Sequence, residues 1–283
     1  MPQILAKRKA RWATKHKPEY LRGAPLNPNA SVQARYYTAM RKLILRMTED
    51  VEKEIIDFYT EPHAEEYFAQ DDTVSSQARI LTNALIKKFD QLFNLKAKSL
   101  AGNMTSDADR SSQTALKGSL KQLSGGLTLK TDILTGELND ILNATITENV
   151  GLIKSIPAQY LQGVQGAVMR SITTGNGLKD LVPFMQKHKG ITLRRARIIA
   201  RDQTRKAFSN INFARMDKLG VTHYEWLHSA GGQKPRPLHI RYSGRIFSFA
   251  NPPVIDEKTG QRGKPGDLIN CRCRAVPIIK FEE

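Results

Sequence analysis

The residues whose types and spacing can do chemistry gather in the last third of this 283-residue chain. Its two cysteines, Cys271 and Cys273, sit two apart in the run Asn270-Cys271-Arg272-Cys273-Arg274. On an extended strand alternate residues share a face, which puts Cys271, Cys273 and Ala275 on one side and Arg272 and Arg274 on the other. Residues so placed are poorly set for a disulfide with each other. Two thiolates on one face become a metal site when a nitrogen joins them, and His239, His228 or His223 can supply it. The same pair also fits two small buried hydrophobes. Four-ligand zinc sites usually show a Cys-x-x-Cys pair, and no second close pair exists here, so the cofactor reading stays between none and zinc. The arginine face offers either a basic stripe for phosphate or partners for nearby acids.

A second constellation lies upstream. Arg194, Arg197, Arg201 and Arg205 are spaced to form one ridge of a helix. Such a ridge either tracks phosphates or is a solvated face. Arg201, beside Asp202 and Thr204, reads as buried, whereas Arg194, Arg195 and Lys206 read as phosphate contacts. Asp202, Glu225, His228 and His239 hold the types needed for acid–base catalysis. No nucleophile elbow, phosphate loop or metal-binding carboxylate pair accompanies them. The expectation is therefore a protein with no catalytic residues.

The elements that must position these groups come next. From 32 to 59 apolar residues recur in steps of three and four, the mark of a long amphipathic helix that stops near Glu61-Pro62. A second helix follows Ser75-Ser76, with a break expected at Gly102-Asn103 and a weaker helix over 107–123. Gly125-Gly126 reads as a turn. The helical period restarts at Leu134, and Pro157 suits a first helical position. Gly175 and Gly177 stop that helix, a short one spans 178–188, and Thr192 caps the last long one, which ends at Leu219-Gly220. No strand pair is expected before 220. Three strands then follow, at 221–227, 244–249 and 268–279. The fold class is α+β: a mostly helical N-terminal and middle body, then a small C-terminal domain with helix 192–219 packed on a short antiparallel sheet. The expected domains are a basic arm and linker over 1–31, a helical body over 32–190 and the α+β domain over 191–283.

Charge divides the chain in the same way. The total is +17, with net +6 in residues 1–22, +1 in 23–190 and +10 in 191–283. A neutral body suits protein packing, and basic ends suit a polyanion. Lys7, Arg8, Lys9 and Arg11 in the arm join Arg194, Arg195, Lys206, Arg272 and Arg274 as expected DNA contacts. Two cysteines exclude a disulfide scaffold. No apolar run approaches the roughly 18 residues of a spanning helix, and the first 14 residues lack the apolar core of a secretory signal, so no membrane partner is expected.

Several motifs occur in one order: E-N-V-x-L-I-x-S-I-P at 148–157, G-N-G-L-x-D-L at 175–181 and R-A-R-I-I-A-R-D-Q-T at 195–204. Asn212 and Arg215 follow, then L-G-V-x-x-Y-E-W at 219–226, P-R-P-L-H at 235–239, Gly244, and N-C-R-C at 270–273 before Pro277. This order resembles the phage Mu F-like minor head proteins, the phage head morphogenesis family, over about 148–279. The resemblance implies a low-copy minor capsid protein inside the head near the portal, in the host cytoplasm during assembly. It implies the portal protein, packaged double-stranded DNA and a major capsid or scaffold protein as partners, with a role in genome packaging or delivery. One departure stands out. Many relatives have Cys-x-x-Cys where this chain has Arg236-x-x-His239, and a histidine where it has Leu268. His239, Cys271 and Cys273 are then a remnant of a fuller ligand set, and Arg236, Arg241 and Asn270 hold the loop by hydrogen bonds. Two alternatives stay open: a DNA-processing enzyme of nuclease or toxin-like type, and an arm over 1–22 that binds an acidic groove on a partner protein.

Overall fold

The computed structural model describes residues 20–60, 74–123, 136–230 and 234–280. Lys7, Arg8, Lys9 and Arg11, and the expected turn at Gly125-Gly126, lie outside them. A short strand β1 (Tyr20–Arg22) leads into four long helices, α1 (Ala30–Thr60), α2 (Val74–Leu123), α3 (Gly136–Thr174) and α4 (Leu178–Lys218). Strand β2 (His223–Leu227), helix α5 (Pro237–Arg241) and strands β3 (Ile246–Ser248) and β4 (Arg274–Lys280) complete the chain. The class is α+β, as expected.

Helix α1 begins where Asn29 Oδ1 accepts the Ser31 N–H at 2.9 Å, satisfying one of the free donors of the first turn. Its apolar stripe, from Tyr36 through Met40, Ile44, Met47 and Val51 to Ile55, is buried. Gly175 and Gly177 end α3 in the left-handed region, at φ 72° and 56°.

Four expectations are corrected. Helix α2 runs through Gly102 and Asn103 without a break. An interior glycine costs only about 1 kcal/mol, and the buried series Phe89, Phe93, Ala97, Ala101, Met104 and Ala108 carries the helix across it. Pro157 lies inside α3, not at its start. Helix α4 is continuous, so Thr192 is no cap; its hydroxyl donates back to the His188 carbonyl at 2.9 Å. Finally, a strand does precede residue 220, because β1 pairs with β4.

The chain forms two compact units, with boundaries inside the four long helices. One unit takes the described residues of Gln33–Asn103 and Ile146–Ala200, whose regular elements are all helices. The other takes those of Met1–Val32, Met104–Thr145 and Arg201–Glu283, and it holds the sheet. Strand order is β1-β4-β2-β3, every pair antiparallel. In its core Leu116 and Leu120 of α2 and Phe208, Phe213 and Met216 of α4 meet Tyr224 and Trp226 of β2. Pro277 sits in the central strand β4 opposite Tyr224. Its carbonyl accepts from Gly23 N–H at 2.9 Å. Its missing donor therefore also faces β1, where pairing stops at Arg22, and no ladder bond is lost within the sheet.

Candidate functional site

The site is built from the C-terminal half of α4, helix α5 and the turn before β4. The third strand does not start at 268 as expected; it starts at Arg274. Asn270 stands in the left-handed region at φ 60°, a conformation asparagine tolerates better than most residues. Two neighbours from α4 hold it there. Arg201 Nη2 donates to Asn270 Oδ1 at 2.8 Å, and the Asn270 N–H donates to Asp202 Oδ1 at 2.6 Å. The Cys271 N–H closes the turn on the Leu268 carbonyl at 3.0 Å. Cys271 is buried and Cys273 half-buried, and both thiols are free. Their common facing comes from this turn, not from strand alternation.

Helix α5 supplies the nitrogen. Pro237 opens it, where a missing N–H costs nothing, and His239 is buried. His239 Nε2 lies 3.1 Å from the Ile255 carbonyl. A carbonyl only accepts, so Nε2 carries the hydrogen and the Nδ1 lone pair faces the thiols. That lone pair lies 3.7 Å from Cys271 Sγ and 3.6 Å from Cys273 Sγ. All three ligand atoms fall within 4.8 Å of one another.

This donor set fits zinc. Tetrahedral bonds of about 2.3 Å to sulfur and about 2.05 Å to nitrogen require S···N separations of about 3.6 Å. The anchored Nε2–H is the outer hydrogen bond that zinc-binding histidines commonly make. The two thiols are pushed apart in acidity. Cys271 is pulled down, chiefly by the hydrogen bond from Cys273. Cys273 is pushed up, first by the same bond to Cys271 and then by burial. Cys271 therefore ionises first, as the first thiolate a metal would meet. Bound here, zinc would tie α5 to the start of β4 and leave one position for an outside ligand.

The remaining site residues divide. Of the three histidines weighed, His239 is the one in this cluster. His223 is within hydrogen-bonding distance of the Thr222 hydroxyl, at 2.9 Å. Of the acid–base set, Glu225 takes two bonds from Arg22, at 2.5 and 2.9 Å, and Asp202 holds Asn270. Arg194 is exposed. Arg195 is half-buried and donates to the Ser155 hydroxyl at 2.8 Å, inside the helical unit, where burial lowers its pKa. Arg197 lies over the Tyr37 ring at 5.1 Å. Arg201, read as buried, is half-buried and holds Asn270. Arg236 donates to the Ile269 carbonyl at 3.1 Å and Arg241 pairs with Glu257 at 2.5 Å, so both brace loops. Arg205, seen in the sequence only as a ridge member, lines a cavity with Arg272 and Arg274. Its neighbours Ser209 and Asn212, one and two turns on, were the available signal that this face of α4 turns inward.

The described residues define an α+β protein whose sheet-bearing unit gathers a histidine and two cysteines. Residues 162–276 match the family described as phage Mu protein F like protein, and that segment is a phage Mu F-like domain. A Haemophilus influenzae protein of uncharacterised function is 30% identical over the whole of this chain. The chain spans 59% of that relative's length. No solved structure matches the chain. Among the described residues no helix is long and apolar enough to cross a membrane.

Proposed function

We propose that this chain is a non-enzymatic minor head protein that associates with the portal inside the phage head and contacts packaged DNA through its basic ends. The observation that carries the reading is the phage Mu F-like segment at 162–276. The charge layout supports it: the stretch 23–190 is near neutral at +1 and suits docking on protein, while +6 and +10 flank it and suit DNA phosphate. In this reading His239, Cys271 and Cys273 have a structural role, and zinc held by them would fix the turn that carries Arg272 and Arg274. Major capsid or scaffold protein is a further partner during assembly.

The alternative is a DNA-processing enzyme using His239. Against it, Glu225 and Asp202 are engaged by Arg22 and Asn270. Plasmid incubation with magnesium separates the two. The proposal expects a gel shift that weakens as salt rises, with the DNA intact. Cleavage that disappears in a His239→Ala variant contradicts it and favours the enzyme.

A further inference from the structure

A cavity of about 370 Å³ opens in the sheet-bearing unit, between α4 and the turn before β4. Arg205, Arg272 and Arg274 line it, with Ser209 and Asn212, and no Asp or Glu is among its described lining residues. Three arginines thus line one concave space. The side chain of Arg274 reaches Asn27 Oδ1 with one terminal nitrogen, yet its buried Nε–H has no partner. A buried donor left unsatisfied carries a desolvation cost that an acceptor on a ligand would relieve. Asn212 is the complementary case: its amide nitrogen donates to the Phe208 carbonyl at 2.8 Å, and its buried Oδ1 accepts nothing.

We propose that this cavity binds a phosphate monoester carried on a nucleotide, with Arg205, Arg272 and Arg274 gripping the phosphate and Asn212 Oδ1 accepting a hydroxyl or amino hydrogen of the same ligand. A monoester carries about −1.5 to −2 at neutral pH, the better match to three cations than the single charge of a backbone diester. The volume suits a small ligand, where pockets run from about 300 Å³ upward. The source is either a 5′-phosphorylated strand end or a free nucleotide. For a strand end, the inference rests on the proposed DNA contact of the C-terminal region.

The test is calorimetric titration of the full chain at constant ionic strength. The ligands are deoxyadenosine 5′-monophosphate and one short single-stranded oligonucleotide, with either a 5′-phosphate or a 5′-hydroxyl. We expect the 5′-phosphorylated strand to bind about tenfold or more tighter than its 5′-hydroxyl form, and Arg272→Gln and Arg274→Gln to remove that preference. A binding mononucleotide without strand preference also supports the site and identifies the free nucleotide as its source. Should a Gln variant fail to fold, Arg272→Lys and Arg274→Lys keep the charge but lose the fork, and weaker binding is expected from each. Failure of the mononucleotide and of the strand preference together overturns the inference, as does full binding by the folded variants. Salt-sensitive shifting of long duplex DNA reports the proposed function separately, so either can fail alone.

Discussion

The chemistry of this chain rests on single residues that hold one another in place. Asn270 adopts its left-handed conformation because Arg201 and Asp202 engage it from both sides, and Cys271 then turns inward toward His239. If the three ligands hold zinc, the purified protein carries about one zinc per chain and Cys273→Ser carries almost none, as read by elemental analysis. Equal zinc in both contradicts the site. Arg215 has a different kind of role. Its side chain is 2% exposed and pairs with Asp109 at 2.7 Å, and it also donates to the Ser112 hydroxyl at 3.1 Å. Arg215→Ala leaves a mostly buried carboxylate without its cation, and a loss of about 3–5 kcal/mol is expected in denaturant unfolding. A loss under about 1 kcal/mol contradicts that reading. The motif position Arg215 is thus explained by packing, not by DNA.

At the scale of elements, helices proved longer than their punctuation suggests. Gly102 tests this. A Cβ placed there meets nothing within 4 Å, and the helix continues on both sides. Gly102→Ala should therefore stabilise the protein by about 0.5–1 kcal/mol, whereas a real break at that point would make the change neutral or harmful. The apolar period of α1 and the glycine stops after α3 and α4 were legible in the sequence, because burial and φ > 0 leave local signatures. Continuity through Gly102, Pro157 and Thr192 was not, because tertiary packing decides whether a weak point becomes a break. Strand β1 was also hidden: three residues, Tyr20–Arg22, are too few to show alternation, and their pairing depends on β4, some 250 residues away. At the site, His239, Cys271 and Cys273 were legible from residue type. The convergence of Arg205 with Arg272 and Arg274 was not, because a turn sets it rather than strand periodicity.

For the whole molecule the central matter is what the neutral and basic stretches meet. Edge strand β1 bears on how to ask it. Removing residues 1–22 would also strip β1 and the Arg22 pair of Glu225, so loss of binding would report a damaged sheet. Removing residues 1–19 takes away six of the seven basic residues in that stretch and keeps the strand. If the arm serves DNA and not the portal, the shortened chain shifts DNA less, with a smaller salt slope, and binds the portal as before. Portal binding lost with DNA binding intact would instead make the arm a ligand for an acidic protein groove.

The most direct measurement is co-purification of the full chain with the portal protein of the same genome, at about 0.1 M and about 1 M salt, where the screening length falls from about 10 Å to about 3 Å. Docking through the near-neutral helical stretch predicts a complex at both salts. A complex lost at high salt would move the docking surface to the basic ends, and no complex at either salt would contradict the account.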